Sequence, residues 1–221
     1  MLVTKNPNIS IITNFGCRTD CWYCIWKDHP LKDISLETNW NKLYDFLYEY
    51  RSKGKVSISG GGDCLYKYEK YKEWWSSLFG LCDELNILVD VHSREKFYNA
   101  EFWSKINRVV VSSDCPWDDV LYLDWLTKQT KLRIVHVVTA KTTEDKIKAY
   151  LDFQKSHGCQ FTIKKLVGHD DGDMYNEIRG LFPDIYCLDE GDYNIYYMPN
   201  NTVCEDFMSP STGEIRNEST I

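Results

Sequence analysis

Short apolar runs alternate with amphipathic stretches along most of this chain. Ile9 to Thr13 reads as a first strand. Leu36, Trp40, Leu43, Tyr44, Leu47 and Tyr50 recur at helical spacing, with Ser35 as the expected N-cap and Gly54 as the stop. Lys55 to Ser59 is a second strand that runs into Gly60-Gly61-Gly62-Asp63, and a helix is predicted from Tyr66 to Phe79. The pattern repeats: strand Asn86–Val91, helix Lys96–Ser104, strand Arg108–Ser112, helix Trp117–Lys128, strand Leu132–Val138. A helix follows, capped by Thr142 or Thr143 and ended by Gly158, then strand Gln160–Lys164 and a helix from Met174 to Leu181. Strands alternating with helices through short connections specify a parallel sheet with right-handed crossovers.

Six such units are too few to close an eight-stranded barrel. The expected fold is therefore α/β: a partial (βα)6 TIM-like barrel, an open curved parallel sheet with outer helices. Runs such as Val109-Val110-Val111 suit strands with helices on one face and a filled interior on the other. From Asp184 the pattern weakens. Residues 1–183 are expected to form the barrel domain, and residues 184–221 a segment that completes or caps it. Within that segment Tyr193 to Met198 reads as an extra strand or a lid. Ser209 to Ile221, polar and interrupted by Pro210 and Gly213, reads as a loosely ordered tail.

Composition narrows the function classes. Lysine and arginine total 26 against 33 aspartates and glutamates, a net charge of −7, which disfavours broad binding to a phosphate backbone. No apolar run approaches membrane-spanning length, and Lys5 to Asn8 interrupt any leader-like start. The nine cysteines are then expected to be reduced, in a cytoplasmic protein, where clustered thiols act as metal ligands or catalytic groups.

Three of those cysteines stand together after the first strand: Cys17-Arg18-Thr19-Asp20-Cys21-Trp22-Tyr23-Cys24. Three thiolates on one short loop can hold three corners of a 4Fe-4S cluster and leave one iron open. A structural zinc site takes four ligands, so zinc is the alternative if His29 or Cys64 closes the set. Three unliganded thiols are the remaining reading. The position of the loop, at the carboxyl end of a strand where parallel sheets bind ligands, favours the open cluster.

The loop resembles the signature of the radical S-adenosylmethionine superfamily, C-x3-C-x-aromatic-C, with Tyr23 as the aromatic. The resemblance extends over the strand–helix order to about residue 168. It implies that Cys17, Cys21 and Cys24 bind the cluster, that S-adenosylmethionine chelates the fourth iron, and that one electron cleaves its sulfonium to a 5′-deoxyadenosyl radical. Gly60-Gly61-Gly62-Asp63 resembles the family's Gly-Gly-Glu element for the methionyl amine, with an acid one carbon shorter and Cys64 in place of the proline that often follows. By position, the resemblance further implies Ser93 and Asp114 for the ribose and carboxylate, with Ser112, Ser113 and Arg94 as rivals. Leu166 and Val167 would flank the adenine, and the Tyr23 backbone would meet its amine. No catalytic side chain is assigned. His92, His136 and His169 fit ordinary strand-end or core histidines, and one of Lys164 and Lys165 is a candidate for an anionic substrate group. Cys159, Cys187 and Cys204 are too scattered for a second cluster, and free thiols are the default; Cys115, Cys204 and the tyrosines are the candidates for a substrate-side hydrogen donor.

The implied function is hydrogen abstraction from a small-molecule or nucleotide-like substrate, with flavodoxin or ferredoxin as electron donor. An activase that places a glycyl radical on a partner protein is the alternative within the family. A non-enzymatic zinc- or cluster-binding interaction module is the alternative outside it.

Overall fold

A computed structural model describes residues 8–24, 37–114, 116–166, 170–188 and 194–205. The strands are β1 Asn8–Ile12, β2 Lys55–Ser59, β3 Leu88–Ser93, β4 Arg108–Ser112, β5 Lys131–Val137, β6 Gln160–Lys164, β7 Tyr186–Leu188, β8 Asn194–Tyr197 and β9 Val203–Glu205. The helices between them are α1 Trp40–Tyr50, α2 Lys72–Glu84, α3 Ala100–Ser104, α4 Pro116–Thr127, α5 Glu144–His157 and α6 Met174–Leu181. They form one sheet in the order β7-β6-β5-β4-β3-β2-β1-β8-β9. All neighbours run parallel except the final β8–β9 pair, so eight parallel strands curl into the expected half-barrel.

Two of those eight were not assigned firmly from sequence. β7 adds to β6, and β8 returns to the far side of β1, with Ile9 opposite Ile195. Tyr193–Met198 thus contains a strand, Asn194–Tyr197, rather than a lid. The tail from Ser209, His29 and the loop Val167 to His169 lie outside the described residues.

Helix starts follow local capping. α1 begins at Trp40 because Asn39 accepts a hydrogen bond from the Lys42 amide at 3.1 Å; Ser35, the expected cap, lies outside the described residues. The predicted helix from Tyr66 opens instead with a 3-10 turn at Tyr68–Tyr71, since Lys67 sits at φ +53° and cannot continue a right-handed helix. Thr143 caps α5 through the Lys146 amide, and Gly158 ends it at φ +65°, both as expected.

The strands separate two environments. Ile9, Ile11, Val56, Ile58, Val89, Val91, Val109, Val111, Leu132, Ile134, Phe161 and Ile163 point outward into one core with Leu47, Trp75, Leu78, Trp103, Leu123 and Tyr150 from the helices. By the two-residue period, the intervening positions face the concave side. There stand Ser10, Ser57, Ser59, Asp90, His92, Arg108, Val110, Arg133, Thr162 and Lys164. The filled interior expected from the Val109–Val111 run is therefore polar on most strands.

Candidate cofactor and metal site

The carboxyl ends of β1 and β2 are joined by backbone. Thr13 donates its amide to the Ser59 carbonyl at 3.1 Å, and Asp63 donates its amide to the Gly16 carbonyl at 2.8 Å. Gly16 and Gly62 form an isolated parallel bridge. A Cβ on Gly62 would lie 2.3 Å from the Gly16 oxygen, and its φ is +112°, so only glycine fits. The third glycine of the run is thereby committed to seating the base of the cysteine loop. Gly60 at φ +68° and Gly61 at φ +59° complete the turn, with Gly60 exposed and Gly61 buried. Phe15 anchors the loop from below, stacked on Tyr71 with centroids 3.9 Å apart.

Cys17, Cys21 and Cys24 all lie partly buried beyond this base. The Cys17 sulfur accepts from the Thr19 amide at 3.3 Å, and the Cys24 amide closes a turn on the Cys21 carbonyl at 3.2 Å. Arg94 follows β3 and reaches across the mouth. One guanidinium nitrogen donates to the Cys21 sulfur at 3.0 Å, and the other to Asp114 at 2.9 Å. The Tyr23 hydroxyl donates to the second oxygen of Asp114 at 2.7 Å. The ends of β3 and β4 therefore hold the loop through two charged side chains, Arg94 and Asp114, which meet Cys21 and Tyr23.

The charges in this network are set by these contacts. Burial raises Cys21, while the Arg94 guanidinium pulls it down; the net direction is up. Burial and the neighbouring Asp114 carboxylate push the Tyr23 phenol up. Burial pushes Asp114 up, but its hydrogen bonds from Tyr23 and Arg94 outweigh this and hold it below the usual carboxylate range. Burial works against Arg94, and Asp114 more than offsets it, so the guanidinium stays charged.

Asp63 is 4% exposed and engaged on both oxygens. One accepts from the Leu65 amide at 2.9 Å and the Ser93 hydroxyl at 2.7 Å, the other from the Arg94 amide at 2.6 Å. Ser93 in turn accepts from the Glu95 amide. Both residues tie the end of β2 to the end of β3. Ser113 is buried, donates to Asp119, and gives its carbonyl to Tyr150 and His136. Leu166 is buried beyond β6.

Sequence reading passed over Glu95. One of its oxygens is buried with no hydrogen bond, 3.7 Å from the Arg18 guanidinium; burial first, then the Asp63 charge, raises this carboxyl. No motif marks it, since its placement depends on where β3 ends.

The donor chemistry discriminates between metals. Cys64 is fully buried, donates its thiol to the His92 carbonyl, and is pushed by burial well above the ordinary thiol range. A zinc ligand must be a thiolate, so Cys64 does not suit a fourth position. Among the described residues no group of three His, Cys, Asp or Glu side chains is gathered tightly enough for a single ion. A four-iron cube spaces its thiolates more widely than one ion does. Three part-buried sulfurs, two of them accepting N–H hydrogen bonds, fit such a group. A cavity of about 710 Å³ lies elsewhere, against Arg133, Gln160 and Tyr186 near the start of β6.

No family model and no curated protein sequence matches the chain. Solved structures do. SuiB of Streptococcus suis bound to S-adenosylmethionine aligns with a TM-score of 0.69 at 14% identity, over 97% of this chain and 63% of that one. A second SuiB structure gives 0.62 at 14% identity, over 89% and 59%. Methylornithine synthase, PylB, gives 0.53 at 12% identity, over 82% and 65%. The chain thus spans less than two thirds of the length of each. These neighbours are radical S-adenosylmethionine enzymes, and the fold expected from the resemblance is the one observed.

Proposed function

We propose that this chain, which has the fold of the radical S-adenosylmethionine enzymes, holds a 4Fe-4S cluster on Cys17, Cys21 and Cys24 and cleaves S-adenosylmethionine to act on a small-molecule or nucleotide-like substrate. The observation that carries the reading is the cysteine loop itself: three thiols at the mouth of the half-barrel, seated on the glycine turn by the Gly16–Gly62 bridge. Bound there, the cluster and cofactor supply a 5′-deoxyadenosyl radical when an external donor such as flavodoxin or ferredoxin delivers one electron.

The chain's own residues would do the following. Gly60 and Gly61 present backbone to the methionyl amine, and Asp63 acts on that turn by fixing it, since both its oxygens are occupied by the protein. Ser93 belongs to the same brace. Arg94 neutralises anionic sulfur at Cys21 and, with Asp114, offers a charged pair to the cofactor's carboxylate and ribose. Tyr23 orients Asp114 from the loop side. Leu166 supplies an apolar wall for the adenine, with Val167 next to it in sequence. The activase and zinc-module alternatives gain no observation of their own.

The test is anaerobic reconstitution with iron and sulfide, followed by dithionite and S-adenosylmethionine. A brown protein that forms 5′-deoxyadenosine is expected, and Cys21→Ala should lose both colour and product. A colourless protein holding one zinc would overturn the reading.

A further inference from the structure

Arg94 and Asp114 do more at the mouth of the half-barrel than hold the loop. The Cys17 sulfur takes a neutral backbone amide, whereas the Cys21 sulfur takes a guanidinium N–H at 3.0 Å. That guanidinium is permanently charged. Its place is fixed from both ends. The Arg94 amide donates to buried Asp63 at 2.6 Å, and the second guanidinium nitrogen donates to Asp114 at 2.9 Å. The other Asp114 oxygen accepts from the Tyr23 hydroxyl at 2.7 Å, and Tyr23 stands between Cys21 and Cys24 in the loop. These contacts close a circuit: Cys21 to Arg94, to Asp114, to Tyr23, and back along the chain to Cys21. A cation therefore touches one of the three loop sulfurs, and an anion stands directly behind that cation. The charges acting on Cys21 are those of Arg94, Asp114 and Cys24. The pair differs in exposure, with the Arg94 side chain 24% exposed and that of Asp114 50%.

We infer that Arg94 and Asp114 are opposed controls on the reduction potential of a cluster held by Cys17, Cys21 and Cys24: the guanidinium raises it through the Cys21 sulfur, and the carboxylate holds that effect back. The inference rests on the radical-enzyme reading for the cluster itself. Reduction adds one electron, from a low-potential one-electron donor, with no bond made or broken. Its free energy therefore responds directly to charges and N–H donors placed beside the sulfurs. A donor that also carries positive charge favours the reduced, more negative state, and a carboxylate disfavours it. Asp114, half exposed, is the more screened of the two by solvent and salt. Arginine suits this place because its planar fork meets sulfur and carboxylate at once, which the point charge of lysine does not.

A redox titration of the reconstituted full chain, followed by electron paramagnetic resonance with dithionite as reductant, tests this. Leaving S-adenosylmethionine out isolates what the chain itself contributes. Arg94→Gln keeps an amide donor and loses the charge, and its midpoint should move to more negative potential. Asp114→Asn should move the midpoint the other way, by an amount that shrinks at high salt. Arg94→Lys should fall between the parent and Arg94→Gln. Lys128→Gln removes the same charge at the far end of α4, about 18 Å along that helix from Asp114, and should titrate as the parent does. A general loosening of the loop would not give shifts of opposite sign. Midpoints that move in the same direction in Arg94→Gln and Asp114→Asn, or in neither, would overturn the inference, as would a parent that binds no cluster. Should Arg94→Gln fail to hold a cluster, the sign in Asp114→Asn decides alone: a rise supports the inference, and a fall or no change overturns it. Formation of 5′-deoxyadenosine by the loaded parent is a separate measurement. Opposed shifts without product would sink the radical reading and leave the two controls standing, whereas product with unmoved midpoints would overturn the controls alone.

Discussion

On the convex face of the sheet, positions such as Val89, Val91, Val109 and Ile134 pack against helices in an apolar core. On the concave face the same strands present Asp90, His92, Arg108 and Arg133. A doubly wound sheet would need apolar residues on both faces, and a full eight-stranded barrel would fill its centre with branched aliphatics. Here the convex positions stabilise the fold, and the concave positions mix apolar residues such as Val110 with polar ones that carry a cost in stability. That cost is what one expects of a surface kept for a ligand. The mouth of the half-barrel joins the two: Asp63, Ser93 and Gly62 are committed to structure, while Arg94, Asp114 and the cysteines remain at the edge of the open space.

The contrast can be broken most severely at Asp90. Arg108→Met should leave a carboxylate that is 1% exposed at its side chain without its cation, at a cost of about 3–5 kcal/mol in urea unfolding. Replacing both members, Asp90→Leu with Arg108→Met, should recover most of that loss, because a well-packed apolar pair avoids the desolvation of two ions. If the double variant were as unstable as the single one, the concave face would owe its polarity to packing rather than to a retained charge.

Next in size is Gly62→Ala. The new methyl meets the Gly16 carbonyl and is held at a positive φ, so a loss of about 2–3 kcal/mol is expected in the same measurement. Gly172→Ala also sits at positive φ, +64°, but nothing lies within 4 Å, and it should cost about 1 kcal/mol. Equal effects would mean that the Gly16–Gly62 bridge does not seat the cysteine loop.

The smallest effect at neutral pH is that of His92→Gln, under about 1 kcal/mol. Its signature is in the pH profile. The folded ring titrates at about 4 and the unfolded one near 6.5. Below about pH 6.5 the unfolded chain takes up a proton that the folded chain refuses, so stability present above that pH is lost as pH falls towards 4. Substitution should flatten this slope, leaving the smaller contribution of His136, which burial also lowers. A parent profile with no slope in that window would place His92 in a wetter, less basic setting.

Much of the fold was legible because its signals are local. Five-residue strands such as Gln160–Lys164, the Thr143 cap and the Gly158 stop need only neighbouring residues to be read. Strands β7 and β8 were not: the first is three residues long, and the second is defined by pairing with β1 across most of the chain. The candidate site divides the same way. The cysteine spacing and glycine run stand in the sequence, whereas the Arg94 bridge between Cys21 and Asp114 spans 73 and 20 positions.

The sequence by itself determined the strand–helix order, the three-thiol loop and the turn chemistry at Gly60–Gly62, because each follows from spacing within a few residues. Tertiary structure alone decided which strand faces point inward, that Asp63 and Ser93 brace the turn, and that Cys64 keeps its proton. It also gathered Lys164, Arg133 and Arg108 around His92. The physical reason is that burial and charge are fields summed over neighbours in space, and those neighbours are set by the curl of the sheet.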